Sequence, residues 1–355
     1  MNSKLLESMR TPSLVVDYDV LKRNISISHN FFVDSSIRIR PHVKTHKSLE
    51  IAQLQLDAGA KGLTVATVGE AEVFSKVCND IFIAYPLWPD ENQFKTLNSL
   101  SRNANIIVGV DSIFGIKHLS TKLDRSIQIM IEVDSGHGRT GCAPARAGEV
   151  AEATIDHGFD LRGIFTFPGH SYGRDKACSA ADDEADALSV AKKSVWASIG
   201  KGDLELSGGS TPSFISSKLD VITETRPGVY VFNDAQQWEL GHVQPDDISL
   251  TAYARVVSQR PGYIVLDSGS KVLGADRAPY ATGYGRLIDL PDAQVVQLSE
   301  HHAVVETDAT LHLGSIVRVV PNHACTAVNL VDELIPVSGN QIFSPWRVEA
   351  RGLNR

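Results

Sequence analysis

Five segments hold residues whose types and spacing could do chemistry. In IRIRPHVKTHKS (37–48), Lys44 closes a β-branched run. An amine at a strand end, in a mostly dry barrel mouth, stays nucleophilic because desolvation disfavours its charged form. A surface lysine that only marks a strand end would read the same way. IEVDSGHGRTGC (131–142) is a strand running into a glycine-rich turn around Arg139. Such a turn lets backbone approach a ligand, and a guanidinium binds an anionic oxygen; an ordinary salt-bridged loop is the alternative. In LSGGSTPSF (206–214), the N–H groups of Gly208, Gly209, Ser210 and Thr211, with two hydroxyls, could cradle a phosphate. ETRPGVYVFND (224–234) adds Gly228 and Tyr230. Plain turns remain the alternative for both. In PNHACTAVNL (321–330), His323 and Cys325 are two apart, which on a strand puts them on one face. Imidazole plus thiolate suits Zn2+, and two ligands leave positions open for water or substrate, as catalytic sites do. A buried cysteine beside a chance histidine is the competing account.

The elements that must position these residues follow from hydrophobic periodicity. Strands are expected near 37–44, 63–67, 81–85, 106–110, 127–133, 161–167, 204–207 and 221–225. Between them lie Ala/Glu/Leu/Lys-rich stretches such as 48–58, 69–77 and 145–157, which favour helix. Strands separated by helices pair in parallel, and eight such units predict a (β/α)8 TIM barrel; a doubly wound sheet is the weaker alternative. In such a barrel the active site lies at the carboxyl ends of the strands, and phosphate binds at the loops after strands seven and eight. After about Asp246 the text turns to strands joined by turn residues, a separate and mainly antiparallel β domain. The expected division is therefore 12–245 for the barrel and 246–355, with about 1–11, for the β domain carrying His323 and Cys325.

Composition narrows the function classes. The 355 residues carry 34 basic and 42 acidic side chains, a net charge of −8, and 43% are hydrophobic. An acidic globular chain has no general attraction for nucleic acid or anionic membranes. No apolar run is long enough to span a bilayer, and MNSKLLESMRTPSL has no signal-peptide core. Four cysteines without CxxC spacing are no disulfide framework, so a reduced, cytoplasmic protein is expected.

From Thr11 to about Val337 the ordered motifs RPHVKTHKS, VATVGEAEVF, VDSGHGRTG, GHSY, SGGSTP, RPGVYVFND, DSGSKVLGADR and PNHAC resemble fold-type III pyridoxal-phosphate (PLP) enzymes. These are relatives of the alanine racemase barrel. The narrower resemblance is to the branch of eukaryotic-type D-serine dehydratases and D-threonine aldolases. It implies that Lys44 is the Schiff-base lysine that forms the internal aldimine. Arg139 would lie beside the cofactor's phenolic oxygen, and Tyr172 would line the pocket. Gly209, Ser210, Thr211, Gly228 and Tyr230 match phosphate-side positions. His323 and Cys325 match the metal pair, for Zn2+ or, less well suited to thiolate, Mn2+. A homodimer is implied as well. Cysteine two residues after the histidine resembles the dehydratases, because the aldolases place aspartate there. D-Serine dehydration is thus the leading expectation. D-Threonine retro-aldol cleavage and D-threo-3-hydroxyaspartate dehydration remain open. The metal pair argues against racemisation, and the β domain against a non-catalytic PLP carrier. Phe167–Pro168 before the Gly-His pair, and the extra His302, depart from the pattern and leave the substrate pocket open.

Overall fold

The computed structural model describes residues 9–218 and 220–355. The assignment of residues 1–8 to the β domain lies outside the described residues. The chain divides into two compact units. One holds the described residues up to Ile27, Thr45–Glu50 and Val229–Gly352; the other holds Ser28–Lys44, Ile51–Gly228 and Leu353–Arg355. The chain thus passes from one unit to the other between Lys44 and Thr45.

Strand β1 (Ser13–Asp17) belongs to the first unit. The second unit is built on β2 (Arg38–Ile39), β3 (Leu63–Val65), β4 (Asp80–Pro86), β5 (Asn105–Val110), β6 (Gln128–Glu132), β7 (Leu161–Phe165), β8 (Glu205–Gly208) and β9 (Glu224–Thr225). All pair in parallel, in the order β2-β9-β8-β7-β6-β5-β4-β3. The ring closes between its two ends: Thr64 N–H donates to Pro41 O at 2.9 Å and Lys61 N–H to Ile39 O at 3.1 Å. A parallel bridge between His42 and Thr64 completes the closure. Closure distinguishes the barrel from the open, doubly wound alternative. The strands read as continuous apolar runs because a parallel sheet is covered on both faces. Inside, Phe82, Ile107, Met130 and Phe165 form one core cluster, each 0% exposed. Each such side chain contributes about 1.5–3 kcal/mol by leaving water. The barrel also buries a polar network: Arg40, 1% exposed, pairs with Glu224 and Asp80, both at 2.8 Å.

The first unit continues with β10 (Leu250–Arg260), β11 (Tyr263–Leu266), β12 (Gly285–Leu287), β13 (Leu290–Leu298), β14 (Ala303–Glu306), β15 (Ile316–Pro321) and β16 (Glu333–Ser338). β10, β11, β14, β13, β12 and β15 close into a six-stranded antiparallel barrel. β1 lies between β10, antiparallel, and β16, parallel. Along β13 the alternation puts Ala293 and Val295 inside and Val296 outside, as expected of a sheet buried on one face. Tyr253 packs with Met9, Val15 and Val337 in this unit's core.

Candidate active site

In the barrel unit the loops after β2, β6 and β7 gather at one aromatic ring. Phe167, two residues past β7, has the Lys44 amine 5.9 Å and the Arg139 guanidinium 5.0 Å from its ring centroid. Tyr172, in the turn Gly169–Tyr172, has its ring centroid 6.4 Å away, and His137 meets the ring edge-on at 5.5 Å. An aromatic face attracts cations, so the ring can sit between two like charges. The Arg139 loop is rigid for local reasons. The Asp134 carboxylate accepts the N–H groups of Gly136 and Gly138, each at 3.0 Å. The loop's base is zipped by Asp134 N–H to Cys142 O and Cys142 N–H to Glu132 O, each 3.0 Å. Gly141 has φ +105°, and a Cβ there would stand 2.6 Å from the Asp134 nitrogen. Only glycine fits.

This region is cationic. Burial keeps the His42 imidazole well below its usual range, and the charges of Lys44, Arg226 and Arg139 push it further down. Glu132 answers them in part. It is 2% exposed, and Oε1 accepts the Thr140 hydroxyl at 3.0 Å. Its Oε2 is sealed from water without a hydrogen-bond partner among the described residues. Burial pushes its carboxyl up to about 7. Glu132, Asp134, His137, Arg139, Thr140, Thr166 and Phe167 line one pocket. Such a collection of cations, one ring and sealed polar atoms suits a flat anionic ligand.

The loop after β8 carries Gly209, Ser210 and Thr211, the last two buried. Two of the N–H groups expected to face phosphate point elsewhere. Gly209 N–H donates to Glu184 at 2.6 Å, and Ser210 N–H to Ser213 Oγ at 3.1 Å. The Ser210 hydroxyl meets that of Ser171, beside Tyr172, at 2.7 Å. Gly228 follows Arg226 and Pro227, whose backbones bond Gly208 O (2.8 Å) and His42 N–H (3.0 Å). The segment carrying Gly228 is thereby tied to both the β8 loop and the Lys44 segment.

In the first unit, His323 and Cys325 are neighbours, but not through strand spacing. β15 ends at Pro321; His323 is the N-cap of the helix Ala324–Val328, and Cys325 lies in its first turn. The His323 O accepts Ala327 N–H at 3.2 Å, so the helix begins where a strand was expected to continue. Burial lowers the imidazole pKa, but Cys325 and Asp276 outweigh it and raise it above its usual range. His323 Nδ1 lies 2.5 Å from the Asp276 carboxylate, which also accepts the Thr326 hydroxyl at 3.0 Å. With its Nδ1 proton held by Asp276, the ring would ligate a metal through Nε2 once the Nε2 proton is displaced. Cys325 Sγ is 3.2 Å from the Thr45 hydroxyl. Imidazole and thiol side by side suit Zn2+, although among the described residues no three or more His, Cys, Asp or Glu group as a metal site.

Lys44, Arg139 and Tyr172 are thus brought together around Phe167, and Gly209, Ser210 and Thr211 share one loop. Tyr230, 3% exposed in the turn Val229–Val231, belongs to the other unit. Lys44 does not close its strand: β2 ends at Ile39, and Lys44 sits in the single turn Val43–Thr45. The sequence reading missed Phe167, Glu132, Glu184 and Asp276. Phe167 left a trace as a departure from the family pattern directly before Gly-His, and Glu132 and Asp276 lie within quoted segments without being singled out.

A family model described as alanine racemase, N-terminal domain, matches residues 16–236, and a serine dehydratase domain matches residues 249–337. D-threo-3-Hydroxyaspartate dehydratase from Delftia sp. is 29% identical over 350 residues, covering 90% of this chain and 92% of that protein. Its solved structure matches with a TM-score of 0.88 at 26% identity, covering 96% of this chain and 98% of that one. A cysteine-to-alanine variant of a D-threo-3-hydroxyaspartate dehydratase, in a metal-free form, matches with a TM-score of 0.88 at 26% identity. D-Threonine aldolase from Filomicrobium marinum matches with a TM-score of 0.90 at 27% identity, covering 98% and 97%. D-Serine dehydratase from Dictyostelium discoideum is 25% identical over 397 residues, covering 98% of each chain.

Proposed function

The chain belongs to the alanine racemase N-terminal domain family, and on that premise we propose that it is a PLP- and metal-dependent lyase that dehydrates D-β-hydroxy amino acids, D-serine foremost. The observation that carries this reading is the His323–Cys325 pair with its orienting Asp276. Racemisation at Cα would have no use for a Lewis acid; removal of a β-hydroxyl does. PLP bound at the barrel mouth would supply an electron sink for the bond breaking at Cα. Lys44 would hold the cofactor and, with its amine free, take the proton from the substrate Cα. Arg139 would balance the ring oxygen's negative charge. Thr211 and the hydroxyl-lined loop after β8, with Gly228 and Tyr230, would form the phosphate side. His323 and Cys325 would hold Zn2+, whose Lewis acidity makes hydroxide a better leaving group. The balance is loss of water followed by hydrolysis, giving a 2-oxo acid and ammonia.

Retro-aldol cleavage to glycine and an aldehyde is the second reading, favoured by the aldolase likeness. Product analysis separates the two. Enzyme loaded with PLP and Zn2+ is given D-serine, D-threonine and D-threo-3-hydroxyaspartate, each beside its L form. Ammonia and 2-oxo acid from the D forms alone support dehydration; glycine in proportion to aldehyde overturns it. A homodimer and a reduced, cytoplasmic setting belong to the same proposal. No helix of the described residues is long and apolar enough to cross a membrane.

A further inference from the structure

Glu184 has no part in the chemistry above, yet it is 0% exposed in the helix Ala177–Ile199. A buried carboxyl is costly unless a partner repays its desolvation. Its Oε1 accepts Gly209 N–H at 2.6 Å, and its Oε2 is sealed without a hydrogen-bond partner among the described residues. The same peptide plane is held at its other end, where Gly208 O accepts Arg226 N–H at 2.8 Å. Both faces of the turn are moulded to their neighbours. A Cβ at Gly208 would stand 2.2 Å from Glu184 Oε1, and one at Gly209, φ +81°, 2.0 Å from Thr225 Oγ1. Burial pushes Glu184 up to about 7. In its neutral form it can accept the N–H without placing a like charge behind a bound anion.

We propose that Glu184 is a positioning residue for the cofactor phosphate: it fixes the Gly208–Gly209 peptide and so sets the loop that presents Ser210 and Thr211. This rests on reading the loop after β8 as the phosphate side of a PLP site. It departs from a simple backbone cradle, because the Gly209 N–H serves the loop's shape and not the ligand.

The test compares PLP with pyridoxal, which lacks the phosphate. The full chain is freed of cofactor with hydroxylamine, and both dissociation constants are measured by absorbance. Glu184→Ala leaves a buried N–H without its acceptor, so PLP binding weakens about tenfold or more while pyridoxal binding stays unchanged. Glu184→Gln, whose amide oxygen accepts the same N–H, restores PLP binding to within about threefold. Glu184→Leu carries the same comparison should the alanine chain not fold. Equal losses for both ligands, no loss for either, or a glutamine variant as weak as alanine overturns the proposal. A wild-type chain that binds both ligands alike instead removes the phosphate reading itself.

Discussion

Replacing Asp276 by asparagine isolates one contact in the proposed metal centre. Asp276 lies 2.5 Å from His323 Nδ1 and 3.0 Å from the Thr326 hydroxyl. The carboxylate accepts only, which fixes the imidazole proton on Nδ1 and makes Nε2 a stronger donor. Asparagine can offer its carbonyl oxygen at the same place and keep the tautomer, but it removes the charge. Alanine removes both. Loss of such an outer carboxylate costs about 10- to 100-fold in metal affinity, or roughly 1.4–2.7 kcal/mol. Asparagine is expected near the lower figure and alanine near the upper. Metal-free protein titrated with Zn2+ against a chromophoric chelator reads the affinities, and activity at saturating Zn2+ should largely return in the asparagine variant. Unchanged affinity in both variants would refute the orienting role. Wild-type protein taking up no stoichiometric Zn2+ would refute the metal centre.

Lys44→Ala should cut turnover at least about 100-fold, and borohydride should no longer fix a pyridoxyl group on the chain; labelling at another lysine would displace Lys44. Arg40→Met leaves the Glu224 carboxylate, 0% exposed, without its ion-pair partner, and Asp80 with Arg162 alone at 3.6 Å. The expected loss is about 3–5 kcal/mol, read as a lower urea midpoint; an unchanged midpoint counts against the network. Glu132 titrates near 7 when folded against 4.5 for the free group, so between those values the folded chain binds a proton that the unfolded chain lacks. Its contribution therefore weakens as pH rises from 4.5 to 7 and is flat above, a change of up to about 3 kcal/mol. Urea unfolding of cofactor-free protein at pH 5 and 8 should show a smaller difference in Glu132→Gln than in wild type; an equal difference refutes the assignment.

The barrel was legible because its strands are apolar on both faces. The run expected at 81–85 is β4, Asp80–Pro86, and the run at 106–110 is β5, Asn105–Val110. The first strand was overextended for an identifiable reason. Pro41 has no N–H to give a ladder, so the regular strand ends at Ile39, only the isolated bridge at His42 continues it, and the chain turns at Val43–Thr45. The i, i+2 rule at His323 failed in a similar way. Asp234, far upstream in sequence, accepts the Ala324 N–H at 3.1 Å and helps to start a helix there.

Residue type told which side chains could do chemistry, but not which neighbours make them able to. Lys44, Arg139, His323 and Cys325 stand out because amines, guanidinium, imidazole and thiol are scarce in glycine-rich or strand-end settings. Asp276 is one of 42 acidic residues, and only its contact with His323, 47 positions away, separates it from a solvated surface acid. Glu184 looks like any helix-favouring residue until the fold sets it 2.6 Å from Gly209, 25 positions on. Such partners exert their effect through burial and distance, which depend on the whole fold. A periodicity or motif reading samples only neighbours along the chain. That is why the groups that would do chemistry could be read from the sequence, while the acids that orient or restrain them needed the structure.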